Sequence, residues 1–255
     1  MNILDQIPLP NYTEGELDNK PLPQQVEHHN AYCKPDFYPY SKMNDQDHRL
    51  IRAAYYAMID LIDEQVGRII DSLERTGQME NTLVIFMSDH GEMLGDHGIY
   101  LKGPHFYDPA VRVPLIISMP GTVKSGVRTK ALVELVDLAP TLLEAAGLPM
   151  HPGMQGKSLW PLLRGELDSD FHRKDVYSEY YNSGFKQEQE EYGPFATMIR
   201  TDDHKLVVHH GLELGELYDL KLDPEETNNL WNDNDYMEVK LRLFKRLCDR
   251  MAWTV

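Results

Sequence analysis

The sequence predicts an α/β chain ending in a small antiparallel sheet with a covering helix, and three observations predict it. Helical periodicity over residues 51–73 leads into a continuous apolar run, Leu83-Val84-Ile85-Phe86-Met87. A second such run, Val113-Pro114-Leu115-Ile116-Ile117-Ser118-Met119, precedes another helical stretch. Beyond about residue 170, four short strand-like pieces are followed by an amphipathic end, 237–251. Helix, buried strand, loop, buried strand, helix is α/β organisation.

Residues 1–47 are rich in Pro, Asn, Asp and Tyr with little periodicity, and are expected as an extended arm lying on something else. Long structureless segments are uncommon in compact folds, so part of the fold is expected upstream. From residue 48 on, Ile51, Ala54, Tyr55, Met58, Ile62, Val66, Ile69, Ile70 and Leu73 fall at helical spacing, and Gly77 is a stop signal. A short apolar run without alternation fits a strand buried on both faces, as in a parallel sheet. Residues 132–146 read as a helix with Pro140 at a first turn or a kink, closed by Gly147. The pieces 176–180, 196–200, 205–209 and 216–220 are separated by polar turns such as Thr201-Asp202-Asp203-His204, which predicts an antiparallel sheet. Val239, Leu241, Leu243, Phe244, Leu247 and Met251 give the last helix an apolar face to cover it. The expected division is 1–47, 48–170 and 171–255.

Composition bounds the function. The chain has 255 residues, 25 Lys plus Arg against 41 Asp plus Glu, and a formal charge of −16. Hydrophobic residues at 42% and charged residues at 26% are near the globular average, which argues against wholesale disorder. The acidic balance argues against nucleic acid and anionic membranes as partners. An anionic substrate is not excluded, because a metal ion can invert the local field. With two cysteines, Cys33 and Cys248, the chain is neither a disulfide scaffold nor a cysteine-based zinc module, and two free thiols are expected. No apolar run approaches the ~18 residues of a membrane span. Met1-Asn2-Ile3-Leu4-Asp5-Gln6 has no secretory pattern, so a cytoplasmic location is expected.

Chemistry concentrates after the first apolar run, at Ser88-Asp89-His90-Gly91-Glu92. In open α/β sheets, ligands bind beyond the carboxyl ends of strands. The Asp89 carboxylate and His90 imidazole are competent ligands for a divalent cation, and Gly91 lets the backbone turn sharply after them. The plainer alternative is that Asp89 caps the next element and His90 makes an ordinary hydrogen bond. A second glycine-rich turn follows, Leu94-Gly95-Asp96-His97-Gly98, and then Lys102 and His105 in a loop held by Gly103 and Pro104. Such loops on rigid scaffolds are where catalytic groups gather. Formal charges over residues 89–112 sum to −2, so a divalent cation would leave Lys102 facing an anion. Singly, a solvated lysine or a loop histidine is ordinary; beside Asp89-His90 they read as parts of one site.

Taken in order, Ser88-Asp89-His90-Gly91-Glu92-Met93-Leu94-Gly95-Asp96-His97-Gly98, Lys102 and Val113-Pro114-Leu115-Ile116-Ile117 resemble the second half of the sulfatase family, in the alkaline-phosphatase-like superfamily. Asp60-Leu61-Ile62-Asp63, Val66-Gly67-Arg68 and Asn81-Thr82-Leu83-Val84 resemble its approach to the site, and Val136-Asp137-Leu138-Ala139-Pro140-Thr141-Leu142 its next helix. Glu216-Leu217-Tyr218-Asp219-Leu220, Asp223-Pro224-Glu225-Glu226 and Asn228-Asn229-Leu230 resemble its C-terminal subdomain. The resemblance implies that residues 48–170 are the C-terminal part of an alkaline-phosphatase-like sheet-and-helix sandwich, and 171–255 a small α+β subdomain. It implies Asp89 and His90 as metal ligands, with His where many sulfatases have Asn, as in the iduronate sulfatase, choline sulfatase and phosphonate monoester hydrolase branches. It implies Lys102 as the lysine that contacts the sulfate and leaving-group oxygen, and places His105 near a substrate-contacting position, where it could donate a proton. It assigns His97 no role. The implied cofactor is a divalent metal ion, Ca²⁺ or Mn²⁺ first, with Mg²⁺ or Zn²⁺ as alternatives.

The resemblance also shows what this chain lacks. The family places two further metal carboxylates near the start of the fold, and its nucleophile is a formylglycine made from Cys or Ser in Cys/Ser-x-Pro/Ala-x-Arg. Cys33-Lys34-Pro35-Asp36-Phe37 has Phe37 where Arg is required and stands in the wrong place in chain order. Cys248 has no such motif, and His28-His29 match the family's preceding histidine poorly. Gly153-Met154-Gln155-Gly156-Lys157-Ser158 ends like a phosphate-binding loop, but His151 stands where glycine is required. No Gly-x-Ser-x-Gly elbow occurs. The expectation is a sulfuric ester hydrolase represented by its second half and incomplete alone. The alternatives are a phosphonate monoester or phosphodiester hydrolase, and a non-catalytic remnant acting as an interaction module. Expected partners are an anionic small molecule or sugar sulfate ester, and a missing N-terminal half or a second copy.

Overall fold

The computed structural model describes residues 3–181 and 195–253 and divides into two compact units, Met1–Leu115 and Ile116–Val255. The first unit carries α1 (Leu22–His29), α2 (Asp45–Arg75), β1 (Val84–Met87) and the single-turn α3 (Asp108–Val111). Helix α2 starts at a reciprocal cap: Asn44 Oδ1 accepts from the Gln46 and Asp47 N–H groups at 2.9 and 3.2 Å, and Asp47 Oδ2 accepts from Asn44 N–H at 3.0 Å. Three donors that a helix start leaves unpaired are thereby satisfied. The helix gives way at Thr76 and at Gly77, whose φ of +67° suits glycine.

The apolar stripe of α2 is not the face this unit buries. The buried positions on α2 are His48 and Arg52, while Leu61 and Ile69 are each 60% exposed. The unit's core is made instead by loops and short turns, from Leu17, Ala31, Met93, Ile99, Tyr100, Phe106, Tyr107 and, on α3, Ala110. Arg52 ties these pieces together. Its guanidinium donates to Leu94 O at 3.1 Å, Pro8 O at 3.3 Å, Leu9 O at 2.8 Å and Asp96 Oδ1 at 2.7 Å. Arg49, one turn earlier, donates to Asp5 O at 3.2 Å and to Ile7 O.

The segment expected as an extended arm, 1–47, contains among its described residues α1, several 3-10 turns such as Glu16–Asn19, and the start of α2 at Asp45. Helix α1 starts on Pro21 with Pro23 in its first turn, where a missing N–H costs nothing, and its buried positions are Pro23, Gln24 and Glu27. A polar buried face gives no hydrophobic period to read.

In the second unit, β2 (Leu115–Ser118), which starts at the division, precedes α4 (Leu138–Ala145) and the one-turn α5 (Trp160–Leu163). The expected two-sided burial of the strands is not found in this chain. Phe86 on β1 is 37% exposed and Ile116 on β2 is 62% exposed, so each strand shows apolar surface to solvent. The helix expected over 132–146 is regular only from Leu138, after a 3-10 turn at Leu135–Asp137. Glu134 N–H donates to Asp137 Oδ2 at 2.9 Å, which caps the start there, and Pro140 sits in the first turn of α4.

Strands β3 (Val176–Tyr181), β4 (Phe195–Arg200), β5 (His204–His209) and β6 (Glu216–Asp219) pair antiparallel in sequence order, as expected. Val176 faces Arg200, Ala196 faces His209 and Lys205 faces Tyr218. Helix α6 (Met237–Trp253) covers the sheet with Leu243 and Leu247, which pack with Ile199, Leu206, Leu217 and Leu230. Arg250 joins α6 to Glu134 at 2.6 Å and to Asp175 at 3.4 Å, and Arg173 bonds Glu134 and Asp137. Cys248 on α6 is a free, exposed thiol; the Cys33 side chain lies outside the described ones. Among the described residues no helix is long and apolar enough to cross a membrane.

Arg52→Ala removes four hydrogen bonds and leaves inward carbonyls unmet, so it is expected to destabilise the first unit by about 2–4 kcal/mol in denaturant unfolding. Burial holds the His28 and His48 imidazoles below their ordinary 6.5. The unfolded chain then binds more protons below that pH, so this stability is whole above it and is lost as pH falls through it. Urea midpoints are expected to drop between about pH 7 and pH 5.5, less steeply in His48→Gln.

Candidate active site

Beyond the last residue of β1 the chain reverses at Ser88–Glu92 and is pinned to α3. The N–H groups of Gly91 and Glu92 donate to Ala110 O at 2.8 Å and Pro109 O at 3.1 Å. Glycine is needed at 91, because a Cβ there would lie 1.9 Å from Pro109 O. The pinned turn presents Asp89, with its side chain 82% exposed, and His90, 42% exposed. Asp89 Oδ2 is 3.5 Å from His90 Nε2, so the two donor atoms face a common space.

Hydrogen bonds fix the state of each group. Asp89 Oδ1 accepts from the His90 N–H at 2.9 Å, and this bond, with the charge of Lys102, holds the carboxyl below the usual range. His90 Nδ1 donates to Gly91 O at 2.9 Å, which leaves the Nε2 lone pair pointing outward. The Lys102 ammonium donates to that Nε2. Three of the four residues singled out in the sequence are thus together, and a cation already stands at the imidazole nitrogen. Glu92 points elsewhere: its Oε1 accepts from Leu94 N–H at 3.2 Å and Leu101 N–H at 2.6 Å, and burial pushes its carboxyl up.

His105 is not with the other three. Its side chain is fully buried, with Nε2 3.2 Å from Glu27 Oε2 on α1. His97, which the sequence left without a role, is also interior: Nδ1 is 2.5 Å from Glu16 Oε1, and its ring stacks on Tyr107 at 3.9 Å. Sequence reading missed Arg52, Glu16 and Glu27, all of which hold the loop 94–107 from outside it. The signal was faint: Glu16 and Glu27 lie in a segment without apolar period, and Arg52 is a charged residue off the apolar stripe of its helix.

A carboxylate oxygen and an outward imidazole nitrogen, the imidazole fixed by a carbonyl at its other nitrogen, are donor types that suit a divalent cation, which would take the Nε2 lone pair in place of the Lys102 ammonium. They make two ligands where hard cations take about six. Among the described residues no group of three or more His, Cys, Asp or Glu side chains is arranged to hold a metal.

Comparison with known proteins yields a consistent set. Residues 95–252 match the family described as N-sulphoglucosamine sulphohydrolase, C-terminal, and residues 24–148 match the family described as Sulfatase. An N-acetylglucosamine-6-O-sulfatase of Bacteroides thetaiotaomicron is 36% identical over 197 residues, 76% of this chain and 34% of that protein. A choline-sulfatase of Rhizobium meliloti is 34% identical over 218 residues, 84% of this chain and 40% of that protein. Among solved structures, the phosphonate monoester hydrolase of Silicibacter pomeroyi superposes with a TM-score of 0.85 at 28% identity, covering 100% of this chain and 52% of that one. A protein solved in complex with its substrate D-glucosamine-2-N,6-O-disulfate gives a TM-score of 0.74 at 30% identity, covering 82% of this chain and 42% of that one. The chain therefore spans about a third to a half of these relatives.

Gly91→Ala is expected to break the turn that carries Asp89 and His90 and to cost about 2–4 kcal/mol, because the conflict is with backbone. A thermal midpoint within 1 °C or so of the parent would show that the turn yields freely.

Proposed function

The chain belongs to the sulfatase family, and from that premise we propose that it carries the second half of a metal-dependent sulfuric ester hydrolase site. The observation that carries this reading is the meeting of Asp89 and His90, on one exposed turn, with Lys102 from the next turn. Asp89 and His90 are the residues that would hold a divalent cation, Ca²⁺ or Mn²⁺ first and Mg²⁺ or Zn²⁺ as alternatives. Such a cation, when bound, supplies positive charge to the oxygens of an anionic ester. The chain's own groups do the rest. Gly91 O keeps the His90 lone pair outward, Asp89 stays ionised, and the Lys102 ammonium offsets charge growing on the transferred group and the leaving oxygen.

Two ligands make a weak cation site, and the chain has no formylglycine motif. The site is therefore proposed to be completed by further polypeptide, first of all an N-terminal half like that of the relatives. The exposed Leu61 and Ile69 on α2, and Phe86 and Ile116 on the strands, are apolar surface that such a partner would cover. The substrate class proposed is a sugar sulfate ester, by analogy with the glucosamine-sulfate protein among the structural neighbours. A phosphonate monoester or phosphodiester is the second reading, favoured by the superposition of this whole chain on 52% of the phosphonate monoester hydrolase.

The 255-residue chain alone is expected to show no arylsulfatase activity. Clear turnover by it, with its cysteines unmodified, would refute the half-site reading. In the complete assembly, Asp89→Ala is expected to lower metal content by mass spectrometry at least about tenfold at limiting metal. Lys102→Ala is expected to cut turnover by about 10²–10³ while metal content stays near the parent value. Assays against paired sulfate and phosphonate esters separate the two substrate readings.

A further inference from the structure

The turn that presents Lys102 is fastened from inside the first unit. The His105 N–H donates to Lys102 O at 3.3 Å, closing the four residues Lys102-Gly103-Pro104-His105. At the other end of that turn the His105 ring is wholly buried, and its Nε2–H donates to Glu27 Oε2 at 3.2 Å. His105 Nδ1 has no hydrogen-bond partner among the described residues, so Glu27 is the ring's polar tether. Gly103 is shaped to this pair. Its φ is +43°, and a Cβ there would fall 2.7 Å from His105 Nε2 and 3.0 Å from Glu27 Oε2. Leu101, on the other flank, also holds a positive φ, +67°. Backbone of this kind persists only where surrounding structure over-determines it.

We infer that Glu27 and His105 are a positioning pair for Lys102: α1 holds the imidazole, and the imidazole holds the turn from which the ammonium reaches His90. This deepens the role given above to Lys102 and rests on it. It also gives His105 a different part from proton donor, since a ring with no exposed surface and its tether turned inward acts through its neighbour. A displacement of about 1 Å in a group that meets a reacting oxygen can cost about 100-fold in rate, so a tether this far from the chemistry carries weight.

The test uses Glu27→Ala and Glu27→Gln in two settings. In the 255-residue chain, backbone hydrogen exchange is read on residues 101–107, with α6 as the internal control. In the complete assembly, kcat and KM are read per folded protein. Glu27→Ala is expected to speed exchange at 101–107 at least about tenfold with α6 unchanged, and to lower kcat at least about tenfold with KM within twofold. Glu27→Gln keeps an acceptor for Nε2–H and is expected to recover most of both. Unchanged exchange at 101–107 in Glu27→Ala overturns the inference, as does faster exchange with parental kcat, which would reduce the pair to packing. A Glu27→Gln variant as impaired as Glu27→Ala also overturns it. If the parent assembly turns over no ester, the proposed function falls, while the exchange measurement still decides whether the pair holds the turn.

Discussion

The Arg52 guanidinium is the constraint on which the first unit depends. It gathers the carbonyls of Pro8, Leu9 and Leu94 and the carboxylate of Asp96, groups drawn from two stretches of chain far apart in sequence, and holds them from a third. Hydrogen bonds from a charged donor are stronger than neutral ones, and a planar fork loses less freedom per bond than a flexible ammonium. The choice of arginine follows from what it must hold. A core of Met93, Ile99, Tyr100 and Tyr107 comes from loops, whose backbone polar groups have no ladder or helix to satisfy them. One side chain with five donors meets several of those needs together.

The chemistry follows from the same economy of fixing. Gly91 allows the backbone to press against Pro109, and Gly91 O in turn selects the His90 tautomer. The Lys102 ammonium meets the imidazole lone pair directly. Two residues adjacent in sequence thus aim at one space because the turn between them is pinned, not because either side chain is confined.

Much of this was legible in the sequence, and the reasons differ by element. The four strands and final helix of the second unit were readable because they bury apolar residues at regular spacing, as Leu206 and Leu217 do on the strands and Leu243 and Leu247 on the helix. Helix α2 was readable for the same reason, yet its apolar stripe misled about burial: periodicity reports which face wants cover, not whether this unit supplies it. Helix α1 was invisible because Gln24 and Glu27 stand on its buried side. The gathering of Asp89, His90 and Lys102 was legible from order and residue type. The interior place of His105 was not, because its partner Glu27 lies 78 positions away in a segment without periodicity.

The loop 94–107 owes its shape to distant chain. Asn11 O accepts from His97 N–H at 2.8 Å, Glu16 bonds His97, and Glu27 bonds His105, at sequence separations near eighty. Contacts of such high order are slow to form, because a long chain must close before any of them rewards it. The lysine turn is therefore expected among the later parts of the unit to take shape during folding. A cut or slippage in residues 11–29 would loosen the segment that carries Lys102 first, while the Ser88–Glu92 turn keeps its own ties to Pro109 and Ala110.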